Sequence, residues 1–141
     1  MADTFQFKLV TPTGVLFDGA VEQVTAVGAL GEFGVLPLHI NFITSLVPGI
    51  LTLKLSESSY NEYLLAGGLA EVKDGVMTVL AIEAQTPNAV DTAAALHEIA
   101  PAEERLSHMS MFDPQYEDAA QELNFARVRS QINQLLRSPH H

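Results

Sequence analysis

Hydrophobic and polar residues alternate over most of the first 85 positions. Phe5, Phe7 and Leu9 share one side of an extended segment, and Gln6 and Lys8 share the other, which predicts a half-buried strand over residues 4–10. Thr11-Pro12-Thr13-Gly14 is a turn by composition, and Val15 to Phe17 and Val21 to Val27 resume the extended pattern. Ile43 to Val47 is an apolar segment stopped by Pro48-Gly49. Leu51, Leu53 and Leu55 then alternate with Thr52 and Lys54. Tyr60 to Ala66 and Leu69 to Lys73 flank Gly67-Gly68. Asp74-Gly75 joins the second of these to Val76–Glu83 and suits a tight primed hairpin turn, which needs positive φ. Short strands at this spacing predict an antiparallel β-sandwich or flattened barrel over residues 1–85.

The pattern changes at Thr86-Pro87-Asn88, a linker over residues 86–88. From Val90 onward Ala, Glu, Gln and Leu replace the β-branched residues, so residues 89–141 are expected to form an antiparallel helical hairpin. Val90 to Ile99 starts the first helix, with Asp91 in its first turn, where a carboxylate suits the helix dipole. Pro101 removes a backbone donor and predicts a kink or break. Asp113-Pro114 reads as N-cap and first position of a second helix of about 20 residues, ended by Leu135-Leu136. The fold class is therefore α+β in two parts.

One stretch falls outside this pattern. Gly28-Ala29-Leu30-Gly31-Glu32-Phe33-Gly34-Val35-Leu36-Pro37-Leu38-His39-Ile40-Asn41-Phe42 combines three glycines, an acid, an imidazole and large apolar side chains. The spacing is not a dinucleotide fingerprint and no Gly-Lys-Ser/Thr follows, so a glycine-permitted loop is the better reading than a phosphate cradle. Its apolar part, Leu36 to Phe42, is a candidate exposed patch.

Composition narrows the function. Hydrophobic residues make up 48% of the 141, enough for a packed core. The net charge of −10, with seven Lys plus Arg, argues against nucleic acid and against an anionic lipid surface. The most apolar window, residues 33–55, is broken by Pro37, Asn41, Pro48, Gly49 and Lys54, so no direct lipid insertion is expected. The N-terminus shows no basic region followed by an apolar segment, which leaves cytoplasmic residence as the expectation. Without cysteine there is no thiol chemistry. The five histidines, His39, His97, His108, His140 and His141, show no metal-ligand spacing apart from the adjacent terminal pair, which reads as a chain end. No cofactor, metal site or catalytic constellation is read from the residues. A carbohydrate-binding sandwich would want an aromatic platform, but there is no Trp. An enzyme would need His39 and Glu32 in one cleft.

Leu9-Val10-Thr11-Pro12, Gly31 to His39, Leu46-Val47-Pro48-Gly49, and Ala66 to Val72 followed by Val76 to Ala81 together resemble the ε subunit family of bacterial F-type ATP synthase, in order and near its spacing. The resemblance covers nearly all of residues 4–85 and extends less specifically to about residue 137. It implies a non-catalytic central-stalk (rotor) subunit that couples c-ring rotation to ATP synthesis. Its partners would be the γ subunit and the c-ring, with the α and β subunits of the catalytic head met transiently. It also implies a peripheral place on the cytoplasmic face of the bacterial inner membrane. The hairpin would fold on the sandwich or extend into the head and inhibit ATP hydrolysis.

Carried over by position, the rotor interface falls on Glu32, Leu38, His39, Ile40, Asn41 and Phe42. Glu32 also reads as a solvated turn acid, and both readings stay open. Arg127, Arg129 and Arg137 are candidate contacts to the head, or ordinary residues suited to a helix C-terminus. Asp91 marks a vestigial nucleotide position. The family's Arg three residues later is Ala94 here, and a further basic position coincides with Pro101, so tight ATP binding is not expected. The family's Pro-Gly-His is Pro37-Leu38-His39, and a leucine disfavours positive φ.

Overall fold

The structure, a computed structural model, describes residues 3–38 and 40–136. His39 and Arg137, both singled out above, and the terminal His140 and His141 lie outside the described residues.

Strands β1 (Phe5–Thr11), β2 (Gly14–Val21), β3 (Gln23–Gly28), β4 (Gly31–Val35), β5 (Phe42–Leu46), β6 (Gly49–Ser56), β7 (Ser59–Leu65), β8 (Gly68–Lys73), β9 (Val76–Ala81) and β10 (Ala84–Gln85) form one curled sheet. Its order is β10-β7-β6-β3-β5-β8-β9-β1-β2, with β4 on β3. The pairs are antiparallel apart from β1 and β9, which run parallel with Phe7 opposite Met77. The predicted alternation holds in β1: Phe5, Phe7 and Leu9 are buried and Gln6 is exposed. They pack with Val21, Val24, Leu51, Leu53, Met77 and Val79 in one core. Asp74 and Gly75 both take positive φ, 53° and 81°, in the β8–β9 turn.

The Gly28–Val35 part of the unusual stretch is a hairpin arm, not a loop. Gly28 pairs with Gly31 across Ala29-Leu30, and Glu32 lies opposite Val27. Gly31 supplies φ of 119° at the turn exit. A Cβ on Gly28 would press on the Phe33 ring at 3.3 Å, so the small residue lets the two strands close on each other.

After β10 and a 3₁₀ turn at Pro87–Ala89, helix α1 spans Thr92–Ser107, α2 spans Tyr116–Ser130 and α3 spans Ile132–Leu135. Asp91 sits one residue before α1 as its N-cap and accepts a hydrogen bond from Ala94 N–H at 2.9 Å. Of the kink or break expected at Pro101, the break does not occur; α1 runs from Thr92 to Ser107 with Pro101 inside it. One lost donor in a helix of 16 residues is tolerated where neighbouring turns keep theirs. Asp113 does not cap α2. Its carboxylate accepts from Gln115 N–H at 2.8 Å, and the helix begins at Tyr116. The second helix also ends earlier than expected, interrupted at Gln131 before the short α3.

β6 is buried on both faces. Leu51 and Leu53 face the core, while Ile50 lies on the outer face with Leu64 of β7, under Ile132 of α3. The helices therefore lie on the outside of the β6–β7 region.

Candidate docking surfaces

The chain leaves the core at Val35 and re-enters it at Phe42. Between these, Leu36 and Ile40 are 55% and 77% exposed, and Leu38 is 93% exposed with φ of 65°. The leucine thus adopts the left-handed conformation that its side chain disfavours, at a cost of about 1–2 kcal/mol. Asn41 anchors the far end of the segment: its Oδ1 accepts from Asp74 N–H at 3.0 Å, tying it to the β8–β9 turn. Phe42 turns inward, half-buried on the core and edge-on to Phe33 at 6.0 Å between ring centroids. Leu36 and Leu38 border a shallow concavity of about 380 Å³ with Asp3, Glu22 and Lys54. Of the residues placed at this interface by sequence, Leu38 and Ile40 are presented to solvent on the loop, and Glu32 is exposed one strand earlier on β4. Asn41 and Phe42 hold the loop's base.

A second apolar surface was not legible in the sequence. Leu69 on β8 lies opposite Leu80 on β9, Leu80 opposite Val10 on β1, and Val10 opposite Val15 on β2. The row crosses four strands on the outer face, and Leu80 and Val15 are about half exposed. The available signal was that β8 and β9 carry leucine at positions where a one-sided strand would carry polar residues.

Three ion pairs cross between α1 and α2. Arg129 meets Glu98 at 2.7 Å, Arg105 meets Glu122 at 2.8 Å, and Arg127 meets Glu103 at 3.2 Å. Arg129 also lies over the Phe125 ring, 4.7 Å from its centroid, a cation–π geometry. Arg127 and Arg129 are therefore engaged within the hairpin. A cleft of about 590 Å³ beside them is lined by Glu83, His97, Glu98, Arg105, Glu122 and Arg129 among others. Each arginine in it already has a glutamate partner. Among the described residues, no group of three or more His, Asp or Glu is arranged to hold a metal ion, and no helix is long and apolar enough to cross a membrane.

The class is that of a curled β-sandwich with exposed apolar rows and a helical hairpin laid on its outer face. Residues 4–87 match the family described as ATP synthase, Delta/Epsilon chain, beta-sandwich domain. The chain is 40% identical over 105 residues to the ATP synthase epsilon chain of Afipia carboxidovorans, covering 74% of this chain and 76% of that one. It is 37% identical over 132 residues to the epsilon chain of Geobacter sulfurreducens, covering 94% and 95%. Against that of Bradyrhizobium sp. the figures are 34% over 131 residues, 92% and 95%. The chain belongs to the ATP synthase epsilon chain family. Its fold is shared with a chain of the Euglena gracilis mitochondrial ATP synthase structure containing OSCP, F1 and c-ring, at a TM-score of 0.77 and 21% identity over 94% of this chain and 82% of that one. A chain of the Tetrahymena thermophila central stalk and c-ring structure gives 0.59 and 15% over 92% and 98%.

Proposed function

We propose that this chain is a non-catalytic rotor subunit of an F-type ATP synthase, coupling c-ring rotation to ATP synthesis through contacts with the γ subunit and the ring. The observation that carries this reading is the Leu36–Ile40 loop, where three large apolar side chains are held out in solvent on a rigid sandwich, within a chain of the epsilon family. Apolar side chains presented this way are what a partner surface desolvates. The outer row from Leu69 to Val15 offers a second face, so ring and γ need not compete for one surface. Glu32, exposed on β4, adds a carboxylate able to accept charge-assisted hydrogen bonds from a partner. The protein would be peripheral, held to the cytoplasmic face of the membrane through its complex. In functional terms residues 1–85 are the rotor-docking part, 86–88 the linker and 89–141 the regulatory hairpin.

The test is co-assembly. Purified protein carrying Leu36→Ser, Leu38→Ser and Ile40→Ser should fold and yet fail to join purified γ and c-ring. Retained assembly would remove the loop from the interface.

The hairpin supports a regulatory role. It lies on the sandwich in the folded arrangement and carries Arg127 and Arg129, cations that an acidic surface of the catalytic head would attract once their glutamate partners are displaced. Assembled enzyme lacking residues 89–141 is expected to hydrolyse ATP faster. Unchanged hydrolysis would argue against inhibition.

A further inference from the structure

We infer that Ile132 is the latch that holds the helical hairpin on the sandwich, and that its withdrawal from the Ile50–Leu64 platform is the step that frees the hairpin. This rests on reading the hairpin as a regulatory arm. The outer-face cluster is small and separate from the sandwich core: Ile50, Leu64 and Ile132 are its buried members, with Val90, Phe125, Val128 and Leu136 partly buried around them. Ile50 and Leu64 are direct cross-strand partners on β6 and β7, so the platform is one residue pair wide. The next pair along the same face, Thr52 and Glu62, is polar. The apolar surface therefore ends at the Ile50–Leu64 pair on that side, although Thr52 and Glu62 are themselves buried. Ile132, at 1% exposure, is the largest fully buried side chain outside the sandwich.

The local backbone fits this role. α3 has four residues and follows the interruption at Gln131 (φ −110°, ψ 16°). A helix this short does not persist by itself and depends on what its side chains touch. The seam inside the hairpin has different chemistry. Ala95 is the buried residue of α1, α2 buries Ala119, Leu123 and Ala126, and three ion pairs cross between the two helices. The first seam has Ile132 as the hairpin's one fully buried side chain against the sheet; the second is spread over four buried apolar residues and three ion pairs. Loss of the first leaves the second intact, so the hairpin leaves the sheet as a paired unit.

The experiment uses the full chain. Ile132→Ala and, independently, Ile50→Ala are compared with Leu135→Ala, a truncation of the 40% exposed neighbour on α3. Limited proteolysis of the segment 86–91 and amide exchange in α2 report docking, and thermal unfolding followed at sandwich tyrosines reports the sheet. Both latch variants should raise cleavage at least about tenfold, since a truncated buried isoleucine leaves a cavity in the contact it dominates. Leu135→Ala should leave cleavage unchanged and Ile132→Val should restore most of the protection. The sandwich transition should persist in the Ile132→Ala variant. Unchanged cleavage in both latch variants overturns the inference, as does loss of the sandwich transition with Ile132→Ala. If the hairpin is released but hydrolysis by the assembled enzyme is unaffected, the latch stands and the regulatory reading falls.

Discussion

Arg129 of α2 reaches Glu98 of α1 at 2.7 Å, with the arginine side chain 20% exposed and the glutamate 53%. The guanidinium is thus more enclosed than its partner, against Phe125 on one side. Glu98→Gln would leave that enclosed cation without a matching charge. Exposed ion pairs contribute about 0–1 kcal/mol, and the partial burial of Arg129 places this pair toward the upper end. The expected loss is about 1 kcal/mol of helical-domain stability, shrinking at high salt because the Arg129–Glu98 pair is then screened in the unsubstituted protein too. A thermal melt followed by helical circular dichroism at low and high salt checks both parts.

The same pairing governs nucleotide binding. Phosphate recognition by a cleft requires unpaired guanidinium or ammonium groups, and here Arg105 and Arg129 face Glu122 and Glu98. An incoming phosphate must displace these carboxylates and then meet their uncompensated charge together with Glu83. ATP is therefore expected not to bind the isolated protein tightly. Titration calorimetry showing micromolar binding would sink this. Replacing Glu98 and Glu122 with Gln should move affinity upward, because it frees both cations.

Most of the fold was legible because its signals are local. Phe5, Phe7 and Leu9 announce a one-sided strand, Asp74-Gly75 announces its turn, and the shift to Ala, Glu and Leu after Pro87 announces helices. What was not legible depends on contacts distant in sequence. The Gly28–Val35 segment looks like a loop because its glycines suppress the strand pattern, and only pairing with β3 makes it a strand. Thr52 and Ile50 read as the solvent side of β6, and only Ile132 far along the chain makes that side buried around Ile50. The resemblance points to the Leu38–Phe42 segment, but not to which of its side chains turn outward. Phe42 and Leu38 are both large and apolar, and backbone direction alone separates the core residue from the presented one.

The Gly67-Gly68 pair gives a sharp test of sheet closure. A Cβ on Gly68 would run into the carbonyl oxygen of Leu80 and lie 3.0 Å from the Ala81 α-carbon, both backbone atoms of the paired strand β9. Backbone of a central sheet cannot swing aside as a side chain can. Gly68→Ala is expected to cost about 1–3 kcal/mol through forced separation of β8 and β9. Gly75→Ala meets no neighbouring atom within 4 Å and carries only the strain of its φ of 81°. Chemical denaturation of both variants should rank Gly68→Ala as the more damaging. The reverse order would mean that the β8–β9 contact relaxes easily.

Leu38 separates stability from docking. Its left-handed backbone, at φ of 65°, costs about 1–2 kcal/mol for a branched apolar residue, and its side chain at 93% exposure recovers almost nothing by burial in the free protein. Leu38→Gly removes that strain but gives the unfolded chain more freedom, a penalty of about 0.5–1 kcal/mol, so a net stabilisation of up to about 1 kcal/mol is expected. Leu38→Asn tolerates the same backbone without the added freedom and should stabilise at least as much. Both variants delete the apolar side chain that the loop presents. If that side chain is seated in a partner surface, each should weaken assembly with γ and c-ring by roughly tenfold or more, the scale set by burying one leucine. Denaturation of the isolated protein and a binding titration with the purified partners would then move in opposite directions. Parallel gains in both measurements would show that Leu38 is strained without being used at the interface.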